Sequence, residues 1–165
     1  MMQKKICMLG AFAVGKTSLV ARFVESIFSD TYLTTVGVKI SRKAMRAGRH
    51  RCHLIVWDLA GEDEFLQIRL SYLRGAAGYL LVVDGTRPAT IDAAISIQKR
   101  VQEAVGDVPF VVLLNKSDLQ AEWEVSDDTM LELADKGWNW LKTSARTGIG
   151  VEDAFLLLAD MMLEA

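Results

Sequence analysis

Near the N-terminus, Gly10-Ala11-Phe12-Ala13-Val14-Gly15-Lys16-Thr17 has the spacing G-x-x-x-x-G-K-T. Those residue types at that spacing suit the holding of a phosphate chain. Backbone N–H groups of such a loop, with the helix N-terminus that follows, surround an anion. Gly10 and Gly15 permit a close backbone approach that a Cβ would hinder. Lys16 places a cation against the outer phosphates, and the Thr17 hydroxyl can ligate Mg²⁺. Ala11, Phe12, Ala13, Val14 and Ser18 complete the cradle. The motif implies a nucleoside triphosphate and leaves the base open.

Three more groups have matching chemistry. Asp58 closes the apolar run Leu54-Ile55-Val56-Trp57 and precedes Leu59-Ala60-Gly61. A carboxylate there can hold Mg²⁺ through a water, and the Gly61 N–H can sense a terminal phosphate. Thr34 and Thr35 lie in a polar loop, and either hydroxyl could complete the metal's coordination. Asn115-Lys116-Ser117-Asp118 follows a second apolar run. The Asp118 carboxylate only accepts, and guanine offers it two adjacent donors, N1–H and the N2 amino group. Adenine offers neither, so such a site can discriminate by a factor on the order of 10⁴. The Lys116 stem can lie along the purine face, and Ser144, Ala145 and Arg146 can bring a backbone N–H to the guanine O6.

These groups need strand ends to sit on, and the apolar pattern supplies them. Residues 4–9, 38–47, 51–58, 79–84, 109–114 and 138–141 read as six strands. YLLVVD and PFVVLL are continuous apolar runs, as suits parallel strands buried on both faces. Residues 16–24, 90–104 and 151–163 read as helices. Ser126-Asp127-Asp128 and Lys136-Gly137 mark the start and stop of another. The alternation predicts one α/β domain with a six-stranded, mostly parallel sheet, helices on both faces and ligands at the carboxyl ends of the strands.

The length, 165 residues, suits one domain. Lys plus Arg number 19 against 21 Asp plus Glu, a balance that argues against binding nucleic acid through phosphates. Two cysteines exclude a disulfide framework and a cysteine-based zinc site, and the expected compartment is the cytoplasm. No signal peptide, membrane span or lipid anchor is expected on this chain.

Taken together, these motifs resemble those of the Ras-superfamily small GTPases from residue 4 to about residue 163. The stretches Thr35-Val36-Gly37-Val38, Val56-Trp57-Asp58 and Ser71-Tyr72-Leu73-Arg74-Gly75-Ala76 are similar to Rab-like members. The resemblance implies a P-loop NTPase G domain that binds GTP or GDP with Mg²⁺, hydrolyses GTP and acts as a switch. It selects Thr35 as the metal ligand alongside Thr17 and Asp58. It implies that Phe28 packs on the guanine and that Tyr32 covers the phosphates. It implies effector, exchange-factor and GTPase-activating partners at switch segments 28–38 and 60–73, with Ile40, Trp57 and Tyr72 on the partner face. Catalysis would involve Lys16, Thr35, Gly61 and Glu62.

Two departures bear on hydrolysis. Glu62 stands where the family has glutamine, and Phe12 where a small residue is usual. A carboxylate cannot donate to the transferring phosphoryl group, and its charge opposes that group. Phe12 could block an arginine finger. Slow hydrolysis is therefore expected. The alternatives are a hydrolysis-deficient GTP-binding scaffold and a small-metabolite kinase, and the kinase would leave Asn115–Asp118 unexplained. Arg146 replaces the usual lysine, and its stem can pack similarly.

Cys7 reads as a buried small hydrophobe. His50, Cys52 and His53 read as solvent-facing rather than as a metal site. Trp123, Trp138 and Trp140 read as packing residues. Lys39, Arg42, Lys43, Arg46, Arg49 and Arg51 gather on one hairpin, either as a solvated edge or as a surface for an acidic partner.

Overall fold

The computed structural model describes residues 2–24, 30–33, 38–59 and 70–164; for residues 30–33 and 70 it describes the backbone alone. Seven strands form one sheet: β1 (Met2–Gly10), β2 (Asp30–Leu33), β3 (Lys39–Ala47), β4 (His50–Asp58), β5 (Ala76–Asp84), β6 (Phe110–Asn115) and β7 (Asn139–Lys142). Their order is β2-β3-β4-β1-β5-β6-β7. The four pairings from β4 to β7 are parallel, while β2–β3 and β3–β4 are antiparallel. The six expected strands are all present, and β2 adds a short seventh at the edge.

Helices α1 (Lys16–Val24) and α4 (Val151–Glu164) cover one face, and α2 (Ala89–Val105) and α3 (Asp127–Asp135) cover the other. Leu19, Val20 and Phe23 point α1 inward at helical spacing, and Phe155, Leu158 and Met162 do the same for α4. The Phe23 and Phe155 rings stack at 3.7 Å and lock the two helices together. On α3, Ser126 caps the helix by accepting from the Thr129 N–H, as its sequence suggested.

The central strands are buried on both faces. Ile6 and Met8 join the α1/α4 core, while Cys7 and Leu9 join the α2/α3 core. Trp123, Trp138 and Trp140 pack partly buried against the second core, and Cys7 is fully buried. Cys52 corrects the solvent-facing expectation. Period-2 alternation turns it into the α1/α4 core, fully buried, while His50 is exposed and His53 half-buried. Among the described residues no His, Cys, Asp and Glu group could hold a metal ion by itself, and no helix is long and apolar enough to cross a membrane.

Candidate functional site

Strand β1 ends at Gly10 and helix α1 begins at Lys16, and the intervening loop is held through its carbonyls. Every carbonyl from residue 10 to residue 15 accepts a hydrogen bond. The Lys16 amine donates to Gly10 O at 2.8 Å and to Ala11 O at 3.2 Å. Arg87 Nη2 donates to Phe12 O at 2.7 Å, and Lys116 Nζ to Ala13 O at 3.1 Å. Asn115 Nδ2 donates to Val14 O at 2.9 Å, and the Leu19 N–H to Gly15 O at 2.9 Å. None of the N–H groups of residues 11–15 donates to a protein acceptor among the described residues. A loop with its carbonyls occupied and its N–H groups unspent is an anion cradle.

Both glycines are required sterically. A Cβ on Gly10 would lie 2.4 Å from Val82 O, and one on Gly15 would lie 2.3 Å from Asn115 Nδ2. Phe12 is exposed at 56%, so its ring stands clear of the core.

Burial lowers the Lys16 amine to about 8, partly offset by the nearby Asp58 carboxylate. Thr17 Oγ1 donates to Asp58 Oδ2 at 2.6 Å. Asp58 is fully buried, and its other oxygen, Oδ1, has no hydrogen-bond partner among the described residues. A buried carboxylate oxygen left unpaired is costly, and a hydrated divalent cation beside Thr17 would satisfy it. The residues present therefore fit Mg²⁺. Thr34, Thr35, Gly61, Glu62 and Phe28 lie outside the described residues. Tyr32 lies in β2, with its side chain outside them too.

The loop that carries Asp118 follows β6. Asn115, Thr143 and Ser144 are almost wholly buried. Thr143 Oγ1 donates to Asn115 Oδ1 at 3.1 Å, so Asn115 ties the phosphate loop to the loop after β7. Ser144 Oγ donates to Asp118 Oδ1 at 2.8 Å and accepts from the Thr147 N–H at 3.1 Å. That bond leaves the second Asp118 oxygen without a protein donor among the described residues. Beside it opens a cleft of about 550 Å³ lined by Asp118, Ser117, Trp123, Thr147 and Ile149 among others. Ala145 is half-buried and Arg146 exposed at the same end of the sheet.

Replacing Asn115 with Ala should orphan Val14 O and the Thr143 hydroxyl inside the protein. At ~1–3 kcal/mol for each unpaired buried group, the expected loss is about 3 kcal/mol, a fall in Tm of roughly 6–12 °C. Denaturant unfolding of the variant measures it, and a loss under about 1 kcal/mol would show that the tie is weak.

Asp84 and Arg87 were not read from the sequence as part of the site. Asp84 ends β5 and is 1% exposed. Its carboxylate accepts from Thr86 N–H and Oγ1, from Arg87 Nε at 2.9 Å and from Lys116 Nζ at 2.8 Å. Burial pushes its pKa up, yet the donors outweigh that and hold it at about 2. Asp84 thus positions both cations that grip Phe12 O and Ala13 O. The available signal was its place at the carboxyl end of a buried parallel strand.

Ile40, Trp57 and Tyr72 are half-buried around the edge of the second core, with the Trp57 and Tyr72 rings 6.1 Å apart. The Lys5 amine sits 3.7 Å over the Trp57 ring.

An anion cradle, a buried Thr–Asp pair and a carboxylate-bearing loop, all at the strand ends, are the geometry of a P-loop protein. The Ras family model matches residues 5–164. The chain is 35% identical over 157 residues to Ras-related protein Rab-8 of Diplobatis ommata, covering 94% of this chain and 75% of the relative. It is equally similar to Rab-8A of Rattus norvegicus and to Rab-8B of Homo sapiens, with 76% of each covered. The chain belongs to the Ras family. It is a small GTPase with Rab-like sequence.

Proposed function

We propose that this chain binds GTP and GDP together with Mg²⁺, hydrolyses GTP slowly, and switches its partners in signalling or intracellular trafficking. The phosphate loop carries the reading, since its six carbonyls are all engaged and its N–H groups remain for an anion. One G domain spans the chain.

Lys16 would exchange its carbonyl contacts for the outer phosphates and neutralise charge there. Asp118 would read the base, with Lys116 along its face, Phe28 against it and Ser144, Ala145 and Arg146 at the O6 edge. Thr17, Thr35 and Asp58 would hold Mg²⁺, which supplies charge neutralisation at the phosphate oxygens when bound. Thr35 and Gly61 would sense the terminal phosphate, and Tyr32 would cover it. Effectors, exchange factors and activating proteins would meet segments 28–38 and 60–73.

Glu62 would accept a hydrogen bond from the attacking water, but its charge would oppose the transferring phosphoryl group. The Glu62→Gln variant should therefore hydrolyse bound GTP about tenfold faster, worth about 1.4 kcal/mol in the barrier. Single-turnover phosphate release with protein in excess compares the two. An equal or slower rate in the variant would overturn this account of Glu62.

A further inference from the structure

The hairpin of β3 and β4 carries a charge pattern that nucleotide binding does not use. Residues 31–57 contain six Lys and Arg and no Asp or Glu. The rest of the chain holds the other 13 cations against all 21 acids, so a body of net −8 bears one positive arm. Cross-strand pairs Arg46–Arg51, Ala44–His53 and Arg42–Ile55 lie in register. Arg46 and Arg51 are therefore like charges directly opposite each other, an arrangement that lowers sheet stability.

The cations divide by surroundings. The Lys43 amine lies over the Phe23 ring, on the α1 side. Arg42 donates to His53 Nδ1 at 2.6 Å and pairs in register with Asp30, where β2 stops. Arg46, Arg49 and Arg51 lie past that point, exposed, and their side chains make no hydrogen bond or ion pair among the described residues. The tip is also remote from the nucleotide. Cys52 pairs with Met2 at the start of β1, while the phosphate loop begins at its end, Gly10, about 26 Å away at strand rise.

We infer that this tip, Arg46, Arg49 and Arg51, docks an acidic segment of a protein partner. Guanidinium forks match carboxylates in paired hydrogen bonds, and all three tip cations are arginines. The occupant's extent follows from the charge distribution. A membrane or a nucleic acid is an extended polyanion, whose field would act on the −8 body as well as on the tip. A short acidic segment meets the hairpin alone. An acidic partner also accounts for the Arg46–Arg51 pair, because one carboxylate between them would turn repulsion into a bridge.

The test uses the full chain loaded with GDP and a fluorescein-labelled peptide of repeated Glu-Glu-Leu, followed by anisotropy. Binding should weaken about tenfold between about 50 mM and about 200 mM NaCl as screening grows. The double variant Arg46→Glu with Arg51→Glu should lose at least about tenfold in peptide affinity, with GDP affinity unchanged as a check on folding. Arg51→Glu alone should also weaken the peptide yet slightly raise Tm, since the new carboxylate faces Arg46. Three results would overturn the inference. One is no binding of the peptide at about 1 mM, the edge of weak association. Another is equal binding by the double variant. The third is tighter binding to phosphatidylserine vesicles or to a single-stranded oligonucleotide than to the peptide.

Discussion

Changing Asp118 to Asn should reverse the base preference of the site, lowering GTP affinity by about 10⁴ and creating affinity for xanthosine triphosphate. The argument rests on donors and acceptors. A carboxylate presents acceptors to guanine N1–H and its N2 amino group. The amide of the variant keeps one acceptor and replaces the other with an NH₂ donor, which meets the N2 amino group donor to donor. Xanthine has a C2 carbonyl at that position, and the same amide then pairs fully. Ser144 Oγ already donates to Asp118 Oδ1 at 2.8 Å, which would fix the amide oxygen there, its second lone pair left for the base N1–H and the NH₂ for the C2 substituent. The substitution is isosteric, and the site is half-exposed at Asp118, so Tm should hold. Competitive displacement of a fluorescent guanine nucleotide by each triphosphate measures the reversal. Unchanged GTP affinity would show that Asp118 does not read the base.

Lys16→Ala should cost at least about 10³ in triphosphate affinity, since a charge-assisted contact in a partly buried site is removed together with its cation. The wild type should carry a pH signature that the variant lacks. In the free protein, burial holds the Lys16 amine at about 8. A bound triphosphate favours the charged form and raises that value, so binding takes up a proton above pH 8. Affinity should then be flat below about pH 8 and fall up to tenfold per unit as pH rises above it, until the pKa of the complex is passed. Titrations at several pH values show this slope. Its persistence in Lys16→Ala would assign the proton elsewhere.

Much of this was legible because buried parallel strands leave long apolar runs. The span 16–24 was read as a helix with the bounds that α1 has, since Leu19, Val20 and Phe23 repeat at helical spacing behind the glycine loop. Strand β2 was not read. Four residues at a sheet edge, Asp30-Thr31-Tyr32-Leu33, carry no periodicity of their own, and their strand form comes from pairing with β3. The short 3₁₀ turns at Leu70–Leu73 and Gln120–Glu122 are below the length at which a period shows.

Gly10, Gly15, Lys16, Thr17, Asp58 and Asn115 come together at the strand ends from positions their motifs marked, whereas Asp84 and Arg87, which hold the same loop, belong to no motif. Arg87 reaches Phe12 O across 75 positions, and only the fold brings them together. Asp84 looked like the last letter of an apolar run. The charged Arg49 and Arg51 suggest a solvent-facing segment for Cys52 too, yet alternation along β4 turns its side chain to the face opposite Arg51.

The most direct measurement is the identity of the nucleotide carried by the purified protein, released by denaturation and separated by ion-exchange chromatography. The account predicts guanine nucleotide near one per chain, with GTP surviving beside GDP because Glu62 slows its hydrolysis. Adenine nucleotide, or an empty site after purification in Mg²⁺, would contradict it.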